Sequence, residues 1–120
     1  MVKKTLVLGA SLNSDRYSNM AVRRLASKKV EVIAIGLKQG KINGINIQNK
    51  LTLYKDVHTV TLYLNQKRQK EYYEYIISLK PKRVIFNPGT ENSEFYKLLD
   101  KESIVYMEAC TLVLLSTNQY

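Results

Sequence analysis

Short runs of β-prone apolar residues alternate along this chain with longer stretches in which apolar positions recur at helical spacing. That alternation is the pattern of βα units built around a parallel sheet. A first strand is expected at Thr5 to Leu8, then a polar loop at Ser11 to Tyr17 and a helix from about Ser18 to Lys28. Ser18 would cap that helix, and Ala21, Val22, Leu25 and Ala26 would form its inner face. Val30 to Ile35 reads as the second strand. Asn43-Gly44, set between Ile42 and Ile45, signals a turn before a short strand at Ile45 to Ile47. Thr59 to Leu64 is almost continuously apolar or β-prone, as expected of a strand covered on both faces. Asn65 is placed to cap a helix running to Leu79 and stopped by Pro81, with Tyr72, Tyr73, Ile76 and Leu79 turned to the sheet. Arg83 to Phe86 is the next strand and Asn87-Pro88-Gly89 a tight turn. A helix from Asn92 to Lys101 with Phe95, Leu98 and Leu99 inward, a strand at Ile104 to Met107 and a short helix or turn at Thr111 to Leu115 complete the chain. The expectation is an α/β three-layer sandwich with a mainly parallel sheet of five or six strands, formed by one domain over residues 1–120.

In open sheets of this kind ligands lie across the carboxyl ends of the strands, where the strand order reverses. Four loops occupy that position: Gly9-Ala10-Ser11, Gly36-Leu37-Lys38, Leu64-Asn65 and Asn87-Pro88-Gly89-Thr90. The first leads into a helix, whose amides and dipole favour a phosphate. Gly9 and Ala10 would let the backbone approach such a group, and Ser11, Asn13, Arg16 and Ser18 would donate to it. A dinucleotide fingerprint reads G-x-G-x-x-G; only its first glycine is present, so this loop alone equally suits a plain tight turn.

Charge narrows the ligand. The chain carries a net charge of +9, from 19 Lys and Arg against 10 Asp and Glu, which favours an anionic partner. No acid occurs between Glu31 and Asp56, while Lys38, Lys41, Lys50 and Lys55 fall in that interval. Proteins that bind NAD place an acid after the second strand for the ribose hydroxyls, whereas Gly36 and Lys38 stand there in this chain. A lysine suits a phosphorylated ribose, the 3′-phosphate of coenzyme A or the 2′-phosphate of NADP. The remaining basic residues are spread over helix faces with acids between them, and no nucleic-acid-binding motif appears despite nine tyrosines, so nucleic acid is not the expected partner.

Several other classes fall away on composition. The apolar run behind Met1-Val2-Lys3-Lys4 is too short for a signal peptide, and no segment approaches the ~20 apolar residues of a membrane span. The single cysteine, Cys110, allows no internal disulfide, so a cytoplasmic protein is expected. One histidine and one cysteine do not make a metal site.

The segments Gly9-Ala10-Ser11 with Arg16-Tyr17-Ser18 and Ala21 to Leu25, then Glu31 to Gly36, then Asn87 to Asn92, resemble the stand-alone bacterial CoA-binding domain proteins. Those proteins are in turn similar to the nucleotide-binding domain of the succinyl-CoA synthetase alpha subunit. The resemblance runs over essentially the whole chain. It implies a Rossmann-like fold with coenzyme A along the strand ends, its pyrophosphate on the first loop and its adenine near the loop after the second strand. Asn87-Pro88-Gly89 and Glu108-Ala109-Cys110 match the family's later loops. Ile35-Gly36-Leu37-Lys38 departs from the proline-containing turn that many relatives carry there.

Coenzyme A or an acyl-CoA is therefore the expected ligand, held by Gly9, Ala10, Ser11, Asn13, Arg16, Ser18, Gly36, Lys38, Asn65, Asn87, Pro88, Gly89 and Cys110. No catalytic set is apparent: the synthetase relatives use a phosphorylated histidine from a second domain, and His58 precedes a strand without an evident partner, as a structural or exposed residue would. Cys110, at the start of a helix, is a candidate for a mixed disulfide with the cofactor thiol. The other readings are an NADP or other nucleotide binder and a Rossmann scaffold for protein contacts. A homodimer or another protein partner remains open.

Overall fold

The computed structural model describes residues 3–120; the first two residues of the N-terminal basic stretch lie outside it. Seven strands form one sheet: β1 (Thr5–Leu8), β2 (Val32–Ile35), β3 (Gly40–Ile42), β4 (Ile45–Gln48), β5 (Thr59–Leu62), β6 (Arg83–Phe86) and β7 (Val105–Glu108), in the spatial order β3-β4-β2-β1-β5-β6-β7. All pairings are parallel except the β3–β4 hairpin. The expected count of five or six strands is short by β3. Its sequence, Gly40-Lys41-Ile42, has no strand signal of its own and is extended because the Asn43-Gly44 turn, with φ of 46° and 83°, folds it back on β4.

Helix α1 (Tyr17–Ser27) follows β1, α2 (Gln66–Gln69) and α3 (Tyr73–Leu79) follow β5, α4 (Ser93–Lys101) follows β6 and α5 (Thr111–Ser116) follows β7. The parallel strands are apolar on both sides because helices cover both sides. Leu6, Leu8, Val60, Leu62, Val84 and Phe86 meet α3 and α4 through Ile76, Leu79, Phe95 and Leu99. On the opposite face Val7, Ala34 and Ile47 meet Val22 and Leu25 of α1 and Leu115 of α5. Phe95 sits at the centre of the first layer, stacked on Tyr73 at 4.3 Å and edge-on to Phe86 at 5.8 Å.

Two local expectations change. The Asn65-to-Leu79 helix is interrupted by a 3-10 turn at Lys70–Tyr72, whose tighter winding rotates the following turn. Tyr75 is therefore buried with Ile76 and Leu79, while Tyr72 and Tyr73 pack only partly. Helix α1 begins before Ser18: Arg16 is the N-cap, without a side-chain capping bond, and Ser18 is buried inside the first turn.

The register places the carboxyl ends of β2, β1, β5 and β6 side by side, with Ile35, Leu8, Leu62 and Phe86 aligned. Beyond that line the backbones nearly touch. A Cβ on Gly9, whose φ is 96°, would lie 3.1 Å from the Tyr63 carbonyl carbon and oxygen. A Cβ on Gly36 would collide with the Ala10 carbonyl oxygen. Because the obstacle is backbone, Gly36→Ala should cost about 1–3 kcal/mol through forced displacement of the β1 loop. A urea unfolding curve would show this as a lower midpoint at an unchanged slope.

Candidate functional site

Reversal of strand order opens a crevice above β1 and β5: β1 is followed through α1 by its neighbour on one side, β2, and pairs with β5 on the other. The cleft there has a volume of about 730 Å³, within the usual size of ligand sites. Its wall contains Gly9, Ala10, Ser11, Asn13, Arg16, Ser18, Gly36, Lys38, Asn65, Pro88 and Gly89. The four loops singled out in the sequence thus meet in one place. Leu37, Leu64 and Thr90 of those loops also line the cleft, and Leu8, Leu12, Tyr17, Ile35, Tyr63, Arg68 and Tyr72, not singled out in the sequence as site residues, complete the wall. The cationic members are Arg16, Lys38 and Arg68, and no carboxylate lines the cleft.

The uncommitted backbone donors of the wall are at the start of α1 rather than in the glycine turn itself. The amides of Gly9 and Ala10 both donate to the Ile35 carbonyl at 2.9 Å, so they bind β2 and have nothing left for a ligand. In contrast, the first-turn amides of Tyr17, Ser18 and Asn19 lack a protein acceptor among the described residues, because Arg16 supplies no capping oxygen and the turn holds no acid. Uncapped helical amides with the positive end of an 11-residue helix behind them favour an anion.

The loop is held for that role by its own side chains. Ser11 Oγ accepts from the Asn13 amide and Asn13 Oδ1 from the Asp15 amide, which leaves the serine O–H and the asparagine NH₂ as donors. Asn19 Nδ2 donates to the Ser11 carbonyl, while Arg23 donates to Asn19 Oδ1 through Nε and to the Ser14 carbonyl through Nη2. Asn19 and Arg23 set the loop without lining the cleft, and nothing in their helical spacing announces it.

Across the cleft the β5 and β6 loops are joined by Gln69, which is fully buried. Its Nε2 donates to the Leu64 and Thr90 carbonyls at 2.8 Å, and its Oε1 accepts from Asn92 Nδ2 at 2.9 Å. Asn65 caps α2 by accepting from the Arg68 amide, and Arg68 lines the opening. Asn87 lies beneath the cleft rather than in its wall. Its Nδ2 donates to Thr61 Oγ1 and the Leu62 carbonyl, and its Oδ1 accepts from the Thr111 amide, so the side chain is committed to joining β5, β6 and α5. Cys110 is the backbone N-cap of α5, half-exposed, and stands outside the cleft wall. The geometry therefore brings neither Asn87 nor Cys110 into the cleft wall. His58 is at the far end of β5, bonded to Thr59 Oγ1 at 2.7 Å. Burial first, then Arg83, Lys3 and Lys82, hold its pKa below the usual value. No group of histidine, cysteine and carboxylate side chains suited to a metal ion occurs among the described residues, and no helix there is long and apolar enough to cross a membrane.

Tyr63 supplies its carbonyl to the floor beside Gly9 and sends its ring beneath the cleft toward α1 and α5. Burial pushes its pKa up to about 12, an effect only partly offset by the nearby Thr61 and Thr111 hydroxyls. Those hydroxyls bond to one another at 2.8 Å, and that of Thr61 also accepts from Asn87 Nδ2, while the Tyr63 hydroxyl has no hydrogen-bond partner among the described residues. A pKa raised on folding stabilises the native state fully below the unfolded value near 10 and loses that contribution as pH climbs toward 12. Removing the hydroxyl sacrifices no hydrogen bond, ordinarily worth about 1 kcal/mol. Tyr63→Phe should therefore keep or raise the urea midpoint at pH 7 and lose less stability than the parent between pH 10 and pH 12, as measured by unfolding across that range.

Comparison with known proteins agrees with the fold. The chain is 47% identical to an uncharacterized protein of known crystal structure, with 100% of this chain and 99% of that one covered and a TM-score of 0.96. A conserved hypothetical protein from Pyrococcus furiosus is 26% identical, with coverages of 92% and 97% and a TM-score of 0.82. A hypothetical protein from Pyrococcus horikoshii OT3, at 24% identity, coverages of 97% and 83% and a TM-score of 0.87, shares the fold. No curated protein matches the chain. The family model described as CoA binding domain matches residues 3–116, and the chain accordingly belongs to the CoA-binding domain family.

Proposed function

We propose that this protein is a binding module for coenzyme A or an acyl-CoA, with the pyrophosphate at the start of α1. The observation that carries the reading is the uncapped first turn of α1, with Arg16 at its mouth and no carboxylate in the surrounding wall. Ser11 and Asn13 retain donors on the same side. Close packing at Gly9 and Gly36 keeps side chains away from the floor, so an extended ligand can lie along it.

Lys38 would then take the 3′-phosphate. Leu37 and Leu12, 69% and 44% exposed on either side of the cleft's β2 end, offer apolar faces to an adenine, whose transfer from water they would favour. The pantetheine arm would run over Gly9 and past Leu64 and Asn65 toward Gly89 and Thr90. Its amides have potential partners in the Asn65 NH₂ and nearby carbonyls. An acyl group would leave the cleft between Arg68, Tyr72 and Gly89. A cytoplasmic setting belongs to the same reading, since a single free thiol needs no oxidising compartment.

NADP is the second reading, because Lys38 would serve a 2′-phosphate in the same way. Isothermal titration with CoA, dephospho-CoA and NADP separates the two. The expected result is one saturable CoA site, weakened roughly tenfold by Arg16→Ala, in line with the ~1.4 kcal/mol of one charged contact. Lys38→Ala should weaken CoA but leave dephospho-CoA unchanged. Tighter binding of NADP than CoA would favour the second reading, and no binding of any of the three would leave a scaffold for protein contacts.

A further inference from the structure

The sheet has two open edges, and they are built differently. Edge strands present unpaired N–H and C=O groups to any other strand, and soluble proteins usually blunt them with lysine, proline, a bulge or a covering element. The β3 edge is blunted: it is three residues long, has exposed Lys41 at its centre and follows Lys38. The β7 edge carries none of these features. Its residues are Val105-Tyr106-Met107-Glu108, among the described residues it pairs with β6 alone, and Val105 is 62% exposed. Tyr106 is stacked on Tyr96 at 4.5 Å and reaches Asp100, so α4 supports one face of the strand without covering its edge. On the helix that follows, Val113 is 54% exposed.

Charge identifies what can approach. The chain has a net charge of +9 and 19 Lys and Arg residues, yet none occurs from Glu102 to Tyr120, where the charged residues are Glu102 and Glu108. Two copies of a strongly basic molecule repel one another across most of their surfaces. The β7 edge is a place where apolar side chains and unpaired backbone, with no basic side chain of their own, take the place of that repulsion.

We infer that β7 is the interface of a homodimer, pairing antiparallel with β7 of a second copy so that the two sheets continue into one. A two-fold axis normal to the sheet keeps like faces together and pairs residues of the same parity. Centred on Tyr106, it sets Val105 opposite the partner's Met107 and leaves the two Glu108 carboxylates apart at the ends of the ladder. Four residues of backbone are too few for a standard interface, and α4 and α5, on either side of β7, supply the remaining area through residues such as Val113. The antiparallel arrangement directs the two clefts to opposite ends of the joined sheet, so each is complete within its own chain and the dimer does not depend on what the cleft binds.

Sedimentation equilibrium of the full chain tests the interface. The expected mass is twice the 13.9 kDa of the chain at concentrations well above micromolar. Val105→Lys, at an exposed position, should reduce it to the single-chain value with CoA titration unaltered, and Lys41→Glu on the other edge should leave the dimer intact. Hydrogen exchange of the β7 amides should slow with rising protein concentration in the parent and not in Val105→Lys. A parent protein that sediments as a single chain, or a dimer that survives Val105→Lys with β7 amides exchanging independently of concentration, would overturn the assignment.

Discussion

Everything at the functional end of this molecule depends on how closely three strand ends approach one another. Gly9 lies against the Tyr63 carbonyl and Gly36 against the Ala10 carbonyl, at distances that exclude a Cβ. The Gly9 and Ala10 amides both close on Ile35. These contacts make the end of β1 a rigid floor and occupy its amides, so that the nearest free donors are those in the first turn of α1. A helix N-terminus without a capping side chain ordinarily leaves its amides to water. In this protein the missing cap, the absent acid and the neighbouring Arg16 form one coherent electrostatic design. Stability is supplied elsewhere, by helices on both faces of the sheet and by the Gln69 and Asn87 networks that lock the β5 and β6 loops.

Much of this was legible along the chain, for reasons that differ between elements. β1 and β6 have the bounds expected of them, because short runs with three consecutive apolar residues, ended by Gly9 and by Asn87-Pro88, leave little choice. The meeting of four loops follows from the βα alternation alone. β3 was hidden because its extension is imposed by a turn and a partner, not by its own residues. The side on which Tyr75 lies was hidden by a 3-10 turn that periodicity arguments at 3.6 residues do not contain. Gln69 sits in Lys67 to Lys70, which reads as a solvated face, and its burial becomes visible only when the Leu64 and Thr90 carbonyls are in place. Ser18 is a residue type suited to a cap, yet it occupies a buried position inside the first turn, past the actual N-cap Arg16.

Asn87 and Cys110 show how a residue at the ligand end of the sheet can stay out of the cleft wall. Both follow strands at the ligand end of the sheet, yet the side chain of Asn87 points down into the Thr61–Thr111 hydroxyl pair, and Cys110 serves as the backbone cap of α5. Being at the carboxyl end of a strand sets the height of a residue in the fold. Whether it reaches the cleft depends on which neighbours claim its polar atoms first.

The central claim is that an anionic nucleotide lies across the ends of β2, β1 and β5 with its phosphates at α1. Amide chemical-shift mapping of the labelled protein during titration with CoA addresses it directly. The account predicts saturating shifts at Ser11 to Asn19, Leu37 and Lys38, Leu64 to Arg68, and Gly89 and Thr90, with Tyr17, Ser18 and Asn19 moving furthest as their free amides gain an acceptor. Shifts concentrated instead around Lys3, Lys28, Lys29 and Asn118, the basic hollow at the other end of the sheet, would contradict it.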